Sequence, residues 1–583
     1  MDKAKSASGT RGAARPAAAT TPTAKAAVTR APASRPPVKQ AAAPKPPAEP
    51  ATDAKAPAAG PASTKARAPK SAARRTPAAK AAPAVSPVLV PADRLSPAAA
   101  LDPEAAARAV EFAPTWAPEP PRADVWTARP WVHPGARVEQ GRLMRKRVPR
   151  TSHAAFEPRP GRDPIAILDH QEVDRLPNLV PLRHARMAES PFTYYRGTPA
   201  VMAYDLAETP RTDIFVQASG DAHLSNFGLF ASPERQLVFD ANDFDETLPG
   251  PWEWDVKRLA ASMVIAGRAN GFSAAQNRAS TMATVRSYRE WMARYAAMRL
   301  IEVWYSHITE ESIRQAAEPV VSKLRDANAG RARIAAMFSK ARGKDALRAA
   351  SSLTTTVDDR RVFLDDPPVV QHVDIPGGPD TLRQVFEDYR ATMADSRREF
   401  LERYRFADFA LKVVGVGSVG TRCFVMVLEG RDENDPLILQ AKEATESVLE
   451  AHLSGSTYAN HAERVVVGQR VMQATPDIFL GWTRGPGGRD FYLRQLWDMK
   501  GSVDTSTLQA PGMAFYGSIC AWALARAHAR SGDSVAISAY LGSSDTFDGA
   551  IADFSETYAD VNERDHAKYV AAIEAGSVST TAI

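Results

Sequence analysis

Gly415-Val-Gly-Ser-Val-Gly420 restricts the fold more than any other stretch of this 583-residue chain. A G-x-G-x-x-G run lets backbone N–H groups approach an anion closely, and the element that follows decides the architecture. In a dinucleotide-binding α/β domain the glycines open a helix. Here Thr421-Arg-Cys-Phe-Val-Met-Val-Leu follows, β-branched and aromatic, and it reads as a strand. Phe409-Ala-Leu-Lys-Val-Val precedes the glycines. Leu437-Ile-Leu-Gln-Ala-Lys follows Glu429-Gly-Arg-Asp-Glu-Asn-Asp-Pro, a segment with strong turn chemistry. The expectation is strand, glycine loop, strand, turn, strand.

The third of these strands carries Lys442. A lysine inside an apolar strand is costly to bury unless it is paired, so a carboxylate partner is expected. Glu463, at the start of a helical segment over His461–Met472, is the candidate by its distance along the chain, with Glu446 and Glu450 as alternatives. A further strand, Phe491-Tyr-Leu-Arg-Gln-Leu, leads into 494–498, where Leu496 and Asp498 would lie along a hinge offering backbone groups to an adenine.

A second dense signal lies two hundred residues earlier. Ser219-Gly-Asp-Ala-His-Leu-Ser-Asn-Phe-Gly is followed by Val238-Phe-Asp-Ala-Asn-Asp-Phe-Asp-Glu. Phosphoryl transfer needs a carboxylate to orient or deprotonate the attacking hydroxyl, and oxygen ligands that hold Mg²⁺ on the nucleotide phosphates. Asp221, Asn226 and Asp243 supply these functions in that order. Asp240 and Asp245 compete with Asp243 for the metal role, and register alone favours Asp243. Turn chemistry selects the same residue types, so none of them is decisive singly.

These residues resemble two known families. Gly220-Asp221…Asn226 and Asp243-Phe244-Asp245, with Pro251-Trp-Glu-Trp-Asp255 beyond, resemble the catalytic and metal loops of aminoglycoside-phosphotransferase-like kinases. There the matching Asp255 would brace the catalytic loop, although Ser219 stands where such kinases usually have His. The strand-flanked glycine loop resembles the cover over the ATP phosphates in protein kinases. Ser190-Pro-Phe…Arg196-Gly, Gly220-Asp-Ala-His-Leu-Ser-Asn-Phe-Gly and Asp498-Met-Lys-Gly are similar to the bacterial family of domain of unknown function 2252.

The resemblance implies an α+β, two-lobed protein-kinase-like fold. Its lobes would be circularly permuted, because the catalytic loop precedes the glycine loop. It implies ATP and Mg²⁺ as cofactors, Asp221 as base, and Asn226 and Asp243 as metal ligands. Gly415, Gly417, Ser418 and Gly420 would cover the phosphates, Lys442 would contact them, and Glu463 would tether Lys442. The acceptor would be the hydroxyl of an unidentified small molecule. The alternative readings are a non-catalytic kinase-like nucleotide-binding module, or a nucleic-acid-associated protein held by its basic N-terminal tail.

The expected domains are a tail over 1–121, a larger helical lobe over 122–400, a small β-rich lobe over 401–500 and completing helices over 501–583. Residues 1–90 hold 16 Lys or Arg against three acids, +13, so the remaining residues carry −7 of the chain's +6. This Ala/Pro/Lys-rich tail, with 22 of the 45 prolines before residue 122, cannot bury enough apolar surface to order itself and reads as disordered. It would serve as a solubilising tether or hold nucleic acid weakly through scattered charge. It lacks the apolar core of a signal peptide, and no apolar run reaches the length of a spanning helix. With only Cys423 and Cys520, no disulfide framework is suggested, and a reducing cytoplasmic setting is expected.

Overall fold

A computed structural model describes residues 132–581, apart from residues 324, 433 and 497. The expected disordered tail over 1–121, and the nucleic-acid contact assigned to it, lie outside the described residues.

After helices over 134–206, short strands surround the 219–226 loop. β1 (Phe215–Ala218) pairs antiparallel with β4 (Leu248–Pro251), while β2 (Phe227–Ala231) pairs with β3 (Leu237–Ala241) and β3 with β5 (Ile308–Thr309). Every residue of β3 is buried. Helix α1 (Trp252–Ala269) starts directly from β4, with Glu253 and Asp255 in its first turn, where carboxylates favour a helix N-terminus. Apolar and small residues surround its axis, and it is buried over nearly its whole length.

The amphipathic spacing of the sequence predicts one helix over roughly 280–304, whereas the chain makes two. α2 (Ala274–Ala297) is capped by Ser273, whose hydroxyl accepts from Gln276 N. It stops where Met298 turns extended, and a second cap, Arg299 N donating to Glu302 Oε2 at 3.1 Å, restarts a short helix over Leu300–Tyr305. The stretch 351–379 reads as irregular from its sequence, yet it contains the hairpin β6 (Thr354–Val357) and β7 (Arg360–Phe363) and the short β8 (Val370–Gln371). Its turn residues Asp358 and Asp359 both have positive φ, the backbone that a two-residue hairpin turn of matching twist requires.

Helix α3 (Gly378–Ala391) precedes β9 (Arg405–Lys412), β10 (Cys423–Glu429) and β11 (Pro436–Ala444). Then come helix α4 (His461–Met472), β12 (Gly481–Arg484) and β13 (Asp490–Gln495). All six strands from β8 pair antiparallel in the order β12-β13-β11-β10-β9-β8. The glycine run connects β9 and β10, as its flanking strands require. The two faces of the sheet are buried in separate apolar clusters, one including Val425, Val427 and Ile438, the other Met426, Leu439 and Leu493. This alternation is the period-two signature of a pleated strand.

The chain then returns to the first strands. α5 (Ala510–Ser531) packs along α2, with the Trp291 and Trp522 rings stacked at 4.0 Å, and α6 (Thr546–Glu574) packs on α1. One core cluster runs from β1–β4 through α1, α2, α5 and α6 and reaches Val465 and Val466 of α4 and Tyr492 of β13. Cys423 and Cys520 are both free and buried. Among the described residues, no helix is long and apolar enough to cross a membrane.

Candidate functional site

The 219–226 loop is bent by Gly220. Its φ is +75°, and a Cβ there would sit 2.5 Å from the carbonyl oxygen of Glu246, so only glycine fits. Ser219 N and Gly220 N donate to the two carboxylate oxygens of Asp255 at 2.6 and 3.0 Å. On the far side, Asp255 Oδ2 lies 3.0 Å from His528 Nε2, and His528 Nδ1 lies 2.8 Å from the Tyr288 hydroxyl. Asp255 thus braces the loop, and the late helix α5 provides an imidazole for the brace.

Asp221 receives Arg258 Nε at 2.6 Å on Oδ1. Asn226 Nδ2 donates to its carbonyl at 2.7 Å and to Oδ2 at 3.2 Å. Burial pushes the Asp221 carboxyl up to about 6, against the opposing pull of the Arg258 charge. Part of the amide of Asn226 is therefore engaged in holding Asp221. The Asn226 carbonyl accepts from Asn242 N at 3.0 Å, which ties the loop to the residue before Asp243.

Lys442 is 3% exposed and meets this second loop. It bonds Asp245 Oδ2 and lies 3.6 Å from Asp243 Oδ1, while the Tyr492 hydroxyl donates to Asp245 Oδ1 at 2.7 Å. Burial opposes the charge on Lys442, but the Asp243 and Asp245 carboxylates more than offset it and raise its pKa. Asp243 shows the mirror case: burial alone would raise it, and Lys442, Arg494 and Lys500 together hold it below the usual carboxylate range. Asp243 Oδ1 is a buried acceptor with no hydrogen-bond donor.

Two expectations are corrected. The tether for Lys442 is not Glu463, nor Glu446 or Glu450, but the carboxylate of Asp245. The residue beside Glu463 faces inward instead: Arg464 donates to the carbonyls of Thr247 at 2.6 Å, Asp245 at 2.9 Å and Thr445 at 2.8 Å. Helix phase explains this, because consecutive residues of α4 point about 100° apart. Asp240 is removed from the metal candidates, since it is fully engaged with buried Arg526 at 2.6 and 2.5 Å.

Above these carboxylates lies the glycine loop. Gly420 has φ +90° and needs glycine. A methyl group added at Gly415 would meet nothing within 4 Å, and one at Gly417 only the Arg196 carbonyl at 3.5 Å. The loop is latched from below: Leu176 N donates to Gly420 O at 2.8 Å, and Arg175 Nη1 to Val419 O at 2.6 Å. Gly417 and Ser418 share a pocket of about 40 Å³ with Asp221, Asp243, Asp245 and Glu246. Two segments far apart in the chain are thereby brought to one place. Burial raises Glu246 to about 7.

Leu496 and Asp498 line a different pocket, of about 190 Å³, together with Asn242, Gln440, Arg494 and Lys500. Their expected backbone role is altered. Leu496 N already donates to Ile438 O at 2.9 Å, and Asp498 O accepts from Ala231 N at 2.9 Å. Asn242 Oδ1 and Gln469 Oε1 are buried in this pocket's wall without donors.

Sequence reasoning assigned no role to Arg258, Arg464, Arg175 or Tyr492. A signal existed for the first two, since a buried helix carrying an arginine must place it on carbonyls or carboxylates. Among the described residues, no group of three or more His, Cys, Asp or Glu side chains is arranged to hold a metal ion.

Fold and site together define a class: an α+β chain in which a glycine loop and a strand lysine are set against a carboxylate cluster on two adjoining loops. Residues 175–572 match the family described as an uncharacterized protein conserved in bacteria (DUF2252), and the chain belongs to that family. No curated protein and no solved structure matches it.

Proposed function

We propose that the protein is a kinase-like phosphotransferase with permuted lobes, moving the γ-phosphoryl group of ATP to a hydroxyl of a small-molecule acceptor. The observation that carries the reading is the convergence of Asp221 and Asp243 with Gly417 and Ser418 around one pocket, with Lys442 bonded to Asp245 at its wall. The antiparallel sheet, with the glycine loop at β9–β10, the lysine on β11 and a helix between β11 and β12, supports it, because the kinase resemblance implies those parts in that order.

Each residue has a distinct task. Asp221, raised to about 6, is a carboxylate at neutral pH that retains enough basicity to accept a hydroxyl proton. The donorless Asp243 Oδ1 fits a hard cation, which usually takes one or two protein oxygens and completes its shell from phosphates and water; Asn226, tied to the chain beside Asp243 by its backbone, would be the second ligand. Mg²⁺ bound there would neutralise charge on the nucleotide phosphates. Lys442 keeps its proton and supplies a fixed positive charge. Gly415 and Gly417, which no strain demands, leave space for backbone N–H groups to approach phosphate oxygens. A pocket of about 40 Å³ holds less than a nucleotide, so binding requires the loop to lift off Arg175 and Leu176.

ATP binding measured by calorimetry with and without Mg²⁺, for the wild type beside Asp243→Asn and Lys442→Met, tests the proposal. Mg²⁺-dependent binding weakened at least tenfold by both changes is expected. No ATP binding, or equal binding by all three proteins, overturns it. Binding without turnover of any alcohol would leave the chain as a nucleotide-holding module.

A further inference from the structure

The six-stranded sheet has a second working face. Residues alternating with Gln440, Lys442, Tyr492 and Arg494 point away from the carboxylate pocket, and they floor a cavity of about 700 Å³. Phe409, Leu411, Phe424, Met426, Phe491 and Leu493 form the floor, with the Phe409 and Phe424 rings stacked at 5.1 Å. Leu382, Val385 and Phe386 of α3 form the roof. A half-open, apolar cleft within the roughly 300–1,000 Å³ range, with a few polar groups at its edge, has the anatomy of a small-molecule site.

Charge at the edge selects the ligand. Arg422 and Arg489 both line the cavity, and both pair with one carboxylate, Glu443, at 3.2 and 2.7 Å. Glu443 is 3% exposed, whereas the two arginines are 23% and 34% exposed. Two guanidiniums on one acid leave a surplus positive charge with N–H donors free to reach solvent or a ligand. Asp374 also lines the cavity, but it is exposed and water screens its charge.

We propose that this cleft binds an amphipathic anion, a long apolar chain ending in a carboxylate, with the chain between α3 and the sheet and the head at Arg422 and Arg489. The site is separate from the carboxylate pocket and does not depend on the function proposed for it. It lies behind the same strand, since Ala441 faces the cleft and Lys442 the pocket. Arg422 is two residues past Gly420, so the head group would sit at the foot of the glycine loop.

Titration of the full chain with palmitate and, separately, with hexadecanol tests both parts. Palmitate is expected to bind at least tenfold more tightly than the uncharged alcohol, and Arg489→Gln to remove most of that preference. Leu382→Trp and Val385→Trp, which fill the cleft from its partly exposed roof, are expected to weaken palmitate at least tenfold without moving the melting temperature. In the wild type, palmitate should slow hydrogen exchange over 373–386 and 422–426, a readout independent of the variants. No palmitate binding, unchanged affinity in folded Trp variants, or protection confined to other segments overturns the site. Equal binding of palmitate and hexadecanol overturns the anionic head.

Discussion

Asp255 and His528 are 273 residues apart in sequence and 3.0 Å apart in space. Between them they fix the loop that carries Asp221, because Asp255 also takes the N–H groups of Ser219 and Gly220. Both side chains are almost completely buried. Asp255→Ala would leave three donors without this acceptor, Ser219 N and His528 Nε2 buried and Gly220 N half-buried. Such losses cost about 3 kcal/mol or more, and urea denaturation of the variant should show a decrease of that size.

The carboxyl of Asp221 makes stability depend on pH. In the folded chain it holds its proton to about pH 6, and in the unfolded chain only to near the ordinary aspartate value of 3.8. The folded state therefore binds more protons between these values, and this group's contribution falls as pH rises through that window. The change is about 3 kcal/mol at most, from ~1.4 kcal/mol per unit. Asp221→Asn should flatten this part of the stability profile between about pH 4 and 6. For the proposed reaction the sign is opposite, with turnover rising as pH increases to about 6 and levelling above it.

Neighbouring residues on α4 should behave very differently. Arg464 is 1% exposed and satisfies three carbonyls, so Arg464→Ala should lower stability by about 3 kcal/mol. Glu463 has no ion pair among the described residues, and Glu463→Ala should change stability by less than about 0.5 kcal/mol. Thermal melts of the two variants, read side by side, check this. Equal losses would contradict the assignment of Arg464 as the residue that locks α4 to the 245–247 segment.

The glycines of the 415–420 loop should also separate. Gly420→Ala forces an L side chain into φ +90° against Arg175 and should cost about 1 kcal/mol or more. Gly415→Ala meets nothing within 4 Å and should leave the melting temperature unchanged. If the loop covers phosphates, Gly415→Ala should nonetheless weaken ATP. Arg175→Ala, which removes the latch to Val419, should speed hydrogen exchange over 415–421.

Much of the local architecture was legible in the sequence. The β-branched run after Gly420 marked β10, the turn-rich 429–436 segment marked the connection to β11, and α4 had the expected bounds. The buried lysine on β11 correctly implied a carboxylate partner. Its identity was not legible, because Asp245 is nearly two hundred residues away, and only the folded chain sets β11 against that loop. The β6–β7 hairpin was missed because its strands are short and half-exposed, with a turn of two Asp residues where a glycine would have been a stronger signal. The break at Met298 was hidden by continuing helical spacing, which the Arg299–Glu302 cap overrides.

The segment after β13 does more than connect. Gly501 exchanges both backbone hydrogen bonds with Leu229, at 2.7 and 2.9 Å, Asp498 O accepts from Ala231 N, and the Asp498 carboxylate holds Arg235. The six-stranded sheet is thus stitched to β2 through the segment that leaves β13. Through the glycine loop between β9 and β10 it also rests on Arg175 and Leu176, by two hydrogen bonds. For the nucleotide proposed above, the 498–501 side is therefore the fixed one, and the 415–420 loop, held by two hydrogen bonds, is the part that would have to yield.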